Sequence, residues 1–98
     1  MESTRQKKVA RLILKELSQI INKESGNILG PIMVGVTAVR ISPDLAYANI
    51  FLSIFPVTDP LDALNKIKSK KSLLRKKLGI AVRNQLRIVP ELNFFIDD

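Results

Sequence analysis

Lysine and arginine side chains are concentrated in two segments of this 98-residue chain, where they could bind anions. The segment from Lys66 to Arg87 holds nine of the 16 basic side chains and contains no aspartate or glutamate. A second segment, from Arg5 to Lys15, holds five more. Cations at this density can neutralise phosphate groups and release the counterions that phosphate holds. The sequence therefore indicates binding of a polyanion.

The residues that most enzymes need are absent or isolated. The chain has no histidine and no cysteine, which removes the usual general base, the commonest metal ligand and every thiolate. Asp97 and Asp98 are adjacent, but neighbouring side chains of a strand point to opposite faces, so we expect them to solvate the chain end. Asp44 follows a proline, where aspartate caps turns. We predict a protein that is not an enzyme and that holds no metal, cofactor or small-molecule ligand.

The basic segments could also be ordinary solvated helix faces. Three features argue against this explanation. The longer run has one sign over about six helical turns, it lacks acidic partners four residues away, and a second basic helix face accompanies it. Both basic helices also carry apolar stripes for a core, which argues against helices lying freely on a membrane surface. No apolar run approaches the roughly 20 residues that span a bilayer.

A first helix can be predicted from its cap and its apolar spacing. Ser3 followed by Gln6 has the spacing of a capping box, in which each side chain satisfies a backbone donor at a helix start. Apolar residues then recur at helical intervals, with basic residues on the opposite side. We expect a helix to about Glu24 that ends near Gly26, followed by a loop at residues 27–31. The apolar positions are Val9, Ile13, Leu17, Ile20 and Ile21.

Two strands and a turn follow this helix. Val34 to Ser42 is rich in β-branched residues, and Ala46 to Phe55 alternates. Residues 42–45, Ser-Pro-Asp-Leu, are typical of a turn, so the two strands should form a hairpin. One face of the second strand should pack under helices, and the other should be only partly covered. The first face carries Ala46, Ala48, Ile50, Leu52 and Ile54, and the second carries Tyr47, Asn49, Phe51, Ser53 and Phe55.

The rest of the chain predicts two helices and a last strand. Asp59 before Pro60 is a good helix cap with proline at the first helical position. Ser69 and Ser72 favour caps over helix interiors, so we expect a break there. Pro90 should end the second helical segment, and the alternating residues after it should form a strand. The apolar stripe of the later of these two helices comprises Leu74, Leu78, Ala81, Val82 and Leu86.

This order of elements defines a fold class. The last strand follows a helical pair, which favours a parallel, right-handed crossover. The helices should cover one face of the sheet, giving a single domain over residues 1–98 with an α+β two-layer sandwich. Tyr47, Phe51 and Phe95 should share the open face, where we expect ordinary surface packing rather than stacking on bases.

Several segments resemble the ribosome-binding factor A family over nearly the whole chain. Ile41 to Ala48 (ISPDLAYA) resembles its hairpin signature, and Leu86 to Phe95 (LRIVPELNFF) resembles its terminal signature. Val9 to Ile21 and Leu73 to Gly79 are similar to its first and last helices. The resemblance implies a type II KH-like domain of order α-β-β-α-α-β, with a kink between the second and third helices. It also implies a cytoplasmic assembly factor that binds the small ribosomal subunit and its RNA.

That resemblance further implies a role in late maturation and 5′-end processing of the RNA, and in growth at low temperature. KH modules that clamp single strands use a GxxG loop, whereas this family carries an Ala-x-Gly kink. Here the kink is Lys70-Lys71-Ser72, where a serine could cap the third helix. We expect a monomer whose basic side chains contact phosphate rather than bases. The expected RNA-binding residues are Lys8, Arg11, Lys15, Lys70, Lys71, Arg75, Lys76, Arg83 and Arg87.

Two alternatives of other kinds remain open from the sequence. One is a protein-binding adaptor that docks on ribosomal proteins through the face that carries Tyr47, Phe51 and Phe95. The other is a generic KH-type binder of single-stranded RNA, against which the missing GxxG loop argues. Phosphate contacts make affinity strongly salt-dependent, so a salt titration separates the adaptor from the RNA-binding hypothesis.

Overall fold

The structure is a computed structural model that describes residues 2–56 and 59–97. Asp98, one of the two carboxylates expected to solvate the chain end, lies outside these residues. The predicted order of elements is confirmed. The elements are α1 (Thr4–Leu29), β1 (Met33–Ile41), β2 (Tyr47–Phe55), α2 (Pro60–Ser69), α3 (Lys71–Val82) and β3 (Glu91–Ile96).

The three strands form one sheet in the order β1-β2-β3. β1 pairs antiparallel with β2, and β2 pairs parallel with β3. The parallel crossover through two helices is therefore confirmed. The predicted inner face of β2 is buried at Ala48, Ile50, Leu52 and Ile54. The prediction is wrong at Ala46, which is exposed because it precedes the strand. Leu92 and Phe94 of β3 join the buried face in the core beneath the helices. The helices supply the other half of the core with Val9, Ile13, Leu17, Ile21, Ala63, Leu64, Ile67, Leu74, Leu78 and Val82.

The start of α1 has the predicted capping box, and its end lies beyond the predicted one. The Gln6 amide donates to the Ser3 hydroxyl at 3.1 Å, and the Ser3 amide donates to the Gln6 side chain at 2.8 Å. The end predicted near Gly26 is wrong, because the helix continues to Leu29. Ile28 and Leu29 pack against the core, and the helix ends at Gly30, whose positive φ of 78° suits glycine.

Gln6 also has a long-range role that the sequence does not reveal. Its side chain is buried and its Nε2 donates to the Ile41 carbonyl at 2.9 Å. Burying an amide is favourable only when its donors and acceptors are satisfied. Gln6 therefore attaches the first turn of α1 to the last residue of β1 and fixes the helix above the hairpin.

The hairpin turn forms as predicted, with Asp44 as its cap. The Leu45 amide donates to the Ser42 carbonyl at 2.9 Å. Asp44 Oδ1 accepts hydrogen bonds from the Ser42 hydroxyl at 2.6 Å and from the Ala46 amide at 3.0 Å, which together lower the pKa of Asp44. Leu45 follows with φ of 63°, a left-handed conformation that is unusual for a bulky side chain.

The break between α2 and α3 is confirmed, but its chemistry differs from the prediction. Asp59 caps α2 by accepting from the Asp62 amide at 3.1 Å. Lys70 lies between the helices, and α3 begins with no side-chain cap. The expected serine cap is wrong, because Ser72 lies inside α3 and the Ser69 hydroxyl donates to the Lys66 carbonyl.

The third helix is shorter than its apolar stripe. α3 ends at Val82, and the following residues form turns before β3. Ala81 is exposed, and Leu86 packs against the core from outside the helix. The predicted stripe is therefore wrong at these two positions, since the chain leaves the helical path to reach the start of β3.

Candidate nucleic-acid interface

The nine predicted RNA-binding side chains all lie at the surface. Lys71 is half-buried and the other eight are exposed. They occupy three places: the outer side of α1, the break with the first turns of α3, and the turns after α3. Lys8, Arg11 and Lys15 belong to the first place, Lys70, Lys71, Arg75 and Lys76 to the second, and Arg83 and Arg87 to the third.

Two adjoining concavities lie beside the break between α2 and α3. One, of about 470 Å³, lies against the first turns of α3, and the other, of about 310 Å³, runs along β3. Lys71 lines both, so we treat them as one feature, the junction groove. Its first part is lined by Lys71, Ser72, Arg75, Lys76, Val89 and Glu91. Its second part is lined by Lys68, Lys71, Leu92, Asn93, Phe94 and Phe95.

Carboxylates from outside the basic run pair with three of its nine cations. Lys66 contacts Asp62 at 3.2 Å, four residues away, and Lys77 contacts Glu24 of α1 at 2.8 Å. Lys71 contacts Glu91 at 3.0 Å in the junction groove. The prediction that the run lacks acidic partners four residues away is therefore wrong for Lys66. The partners of Lys71 and Lys77 are distant in the sequence, and that prediction did not address them.

Both long-range ion pairs lower the pKa of their carboxylate. The Lys71 ammonium donates a hydrogen bond to Glu91 and holds the pKa of that carboxyl below its ordinary value. Lys77 lowers the pKa of Glu24 in the same way. The two carboxylates are therefore charged at neutral pH and remain available to their lysines.

The other cations of the run are available to an external anion. Within residues 2–56 and 59–97, no carboxylate forms an ion pair with Lys68, Lys70, Arg75, Lys76, Arg83 or Arg87. Like charges at this density repel one another, and a bound polyanion offsets the repulsion. Lys68, Arg75 and Lys76 line the junction groove, and Lys70 lies at the break itself. The highest density of unpaired charge therefore coincides with a concave surface.

Arg75 has a second role that charge counting could not reveal. Its Nη2 donates to the Val89 carbonyl at 2.7 Å, and its Nε donates to the Pro90 carbonyl at 3.2 Å. These bonds fix the segment before β3 against α3. A guanidinium has five N–H donors, so Arg75 retains donors for an anion in the groove. Since Arg75 and Val89 are 14 residues apart, no local pattern pointed to the contact.

The open face of the sheet carries the predicted aromatic cluster. The rings of Phe51 and Phe95 stack with centroids 5.4 Å apart and planes inclined by 26°. Tyr47 is exposed on the same face. The two phenylalanine rings therefore cover part of each other's surface.

Asp97 does more than solvate the chain end, because its Oδ2 accepts a hydrogen bond from the Thr37 hydroxyl at 2.5 Å.

Neither a membrane span nor a metal cluster is found in the described residues. No helix among them combines the length and apolar character needed to cross a bilayer. Their carboxylates form no group of three or more that could hold a metal ion.

Element order, sheet topology and a basic groove at the helical break together define a class of domain. It is a KH-like domain of type II, with helix, hairpin, helical pair and a last strand parallel to the central one. A sequence model of the family described as ribosome-binding factor A matches residues 5–98. The chain belongs to the ribosome-binding factor A family.

Curated relatives agree with this assignment, and solved structures share the fold. A ribosome-binding factor A from Cytophaga hutchinsonii is 49% identical over 98 residues, covering 100% of this chain and 74% of the relative. One from Flavobacterium johnsoniae is 41% identical over 99 residues, covering 100% of this chain and 76% of the relative. The crystal structure of ribosome-binding factor A from Thermus thermophilus superposes with a TM-score of 0.78 at 21% identity, over 93% of this chain and 94% of the other.

A second Thermus thermophilus structure has a TM-score of 0.72 at 23% identity, over 88% of each chain. It is a homology model of ribosome-binding factor A fitted into a cryo-EM map of a 30S–RbfA complex. At these identities the two structures establish the KH-like fold.

Proposed function

We propose that this chain is an assembly factor that binds the small ribosomal subunit through its RNA. The observation that carries the proposal is the cluster of unpaired cations at the junction groove, in a chain of the ribosome-binding factor A family. The related factor fitted into a map of a 30S complex supports the same partner. The factor acts during late maturation and 5′-end processing of the RNA, by occupying it and biasing its conformation.

The groove supplies contacts to the RNA backbone. Lys70 and Lys76 neutralise phosphates as point charges, and the remaining donors of Arg75 bind a phosphate oxygen. Because α3 begins with no side-chain cap, the amides of its first turn also point toward an anion at the break. None of these groups reads a base edge, so the surface selects RNA by backbone path and shape.

Salt dependence tests the proposal against docking on a ribosomal protein. If six phosphates are neutralised, we expect affinity for purified free small subunits to fall about 10³-fold between about 50 and 200 mM salt. An aromatic docking face at Tyr47, Phe51 and Phe95 would give a shallow dependence. Cosedimentation at a series of salt concentrations measures the slope, and a shallow slope would show that protein contacts dominate.

Neutralising Glu91 should strengthen binding. Glu91 holds Lys71 at 3.0 Å and places a negative charge in the junction groove. The E91Q variant removes that charge and frees the lysine for phosphate. Since exposed ion pairs are weak, we expect affinity for small subunits to rise about twofold to fivefold. Competition cosedimentation against the wild-type chain measures the change.

The matched control for this variant is E24Q. It makes the same change in net charge and frees Lys77, whose ion pair lies between α1 and α3. Neither residue lines the junction groove. Equal strengthening by both variants would mean that only net charge matters, and no strengthening by E91Q would remove Lys71 from the interface.

A further inference from the structure

A concavity separate from the junction groove, which we call the turn cleft, lies at the end of the sheet where β2 begins. Its volume is about 340 Å³. Three parts of the chain surround it: the first turns of α1, the hairpin turn, and the segment between α3 and β3. The lining residues are Arg5, Val9, Asp44, Leu45, Ala46, Gln85, Leu86, Arg87, Ile88 and Pro90.

The stretch of chain from Ile88 to Glu91, whose last residue begins β3, forms a wall between the turn cleft and the junction groove. Ile88 and Pro90 line the turn cleft, whereas Val89 and Glu91 line the junction groove. Both sides of the wall are fixed by hydrogen bonds. Arg75 holds its carbonyls from the α3 side, and the Glu91 amide donates to the Ala46 carbonyl at 2.8 Å on the hairpin side. A strand of RNA bound in the junction groove would therefore pass beside the turn cleft.

The cleft combines an apolar interior with a positive rim. Arg5 and Arg87 reach it from different elements, and neither has an ion-pair partner within the described part of the chain. The one carboxylate present, Asp44, is engaged by the Ser42 hydroxyl and the Ala46 amide. The charge that complements this rim is negative, and the surface beneath it is apolar.

Two further features indicate that the cleft accepts a ligand. Ile88, at the rim of the cleft, is 75% exposed, so its apolar side chain lies largely in water. Leu45 lines the cleft in a left-handed conformation that costs backbone energy. Strain of this kind is concentrated at ligand clamps and active sites.

We propose that the turn cleft takes one unstacked nucleotide of the RNA bound at the junction groove. Its base packs between Ile88 and Leu45, and its flanking phosphates meet Arg5 and Arg87. An arginine suits this ligand because its planar guanidinium both binds phosphate and stacks on bases. The common wall and the positive rim favour a nucleotide over an acidic peptide. The inference rests on the proposed function, since it takes the RNA at the groove as given.

The test compares the I88Q and I80Q variants of this chain with the wild-type chain. Both isoleucines are exposed, at 75% and 60%, so neither substitution opens the core, and Ile80 lines neither surface. Affinity is measured for deproteinised small-subunit RNA and for intact small subunits. We expect I88Q to weaken both about tenfold, because the variant loses apolar contact with the base, with an unchanged salt slope. I80Q should bind as the wild type does.

The other outcomes each overturn the inference in a recognisable way. If I88Q binds RNA and subunits as well as I80Q does, the turn cleft takes no nucleotide. The proposed function would still stand. I88Q that weakens binding to intact subunits alone would assign the cleft to a ribosomal protein. A wild-type chain that binds neither target would remove the proposed function and this inference together. I88A, which shortens the same side chain without adding a polar group, should repeat the result of I88Q.

Discussion

Reversing Lys70, Lys71 and Lys76 to glutamate together is expected to abolish cosedimentation of the chain with free small subunits. The three lysines lie at the break and on the first turns of α3. Each reversal replaces a positive charge with a negative one and lowers the net charge by two, so the net charge falls from +7 to +1. Phosphate contacts are lost and repulsion replaces them, and we expect affinity to fall at least about 100-fold at physiological salt.

The triple variant should keep its fold, which makes the loss interpretable. Lys70 and Lys76 are exposed and Lys71 is half-buried. The reversal at Lys71 places a second carboxylate beside Glu91. The cost is small, because exposed ion pairs contribute little to stability. Circular dichroism and urea unfolding should therefore resemble those of the wild-type chain.

A second triple variant separates the junction groove from net charge. Reversing Lys7, Lys23 and Lys66 to glutamate changes the net charge equally, and all three are exposed away from the groove. We expect this variant to lose at most about tenfold in affinity, through the long-range field alone. Equal losses in both variants would contradict a localised interface.

The sequence determined the elements because their signals are local. A capping box, alternation in β2 and the Asp59-Pro60 start of α2 each depend on residues within a few positions of one another. The end of α1 was mistaken because Gly26 and Gly30 are both able to end a helix. Packing of Ile28 and Leu29 on the core selects Gly30, and this packing is tertiary. The same limitation applies to Leu86, which reaches the core from outside α3.

The candidate site was predictable in its charge and unpredictable in its partners. The density of lysine and arginine after Lys66 is visible in the sequence. The contacts of Lys71 with Glu91 and of Arg75 with the Val89 carbonyl are not, because they join residues 20 and 14 positions apart. They depend on the crossover that returns the chain to β3 beside α3. Charge alone thus indicated a basic helical break, and the fold shows which of its cations form no ion pair within the described residues.

Leu74 provides the largest expected effect on stability. Its side chain is fully buried in the core, whereas Lys71 and Arg75 of the same helix line the junction groove. Replacing it with alanine removes apolar contacts and leaves a cavity, at a cost of about 2–5 kcal/mol. A domain of this size has about 5–15 kcal/mol in total. We expect L74A to lose a large part of its free energy of unfolding, measured by urea titration.

The adjacent residue supplies the matched control for this loss. Leu73 lies on the same helix turn but is 38% exposed, so L73A should cost less than about 1 kcal/mol. Comparable losses in L73A and L74A would contradict the burial of Leu74 in the core. Because α3 carries Lys71, Arg75 and Lys76 as one rigid unit, L74A should also weaken binding to small subunits as temperature rises. L73A should leave that temperature dependence unchanged, which separates loss of the fold from loss of a contact.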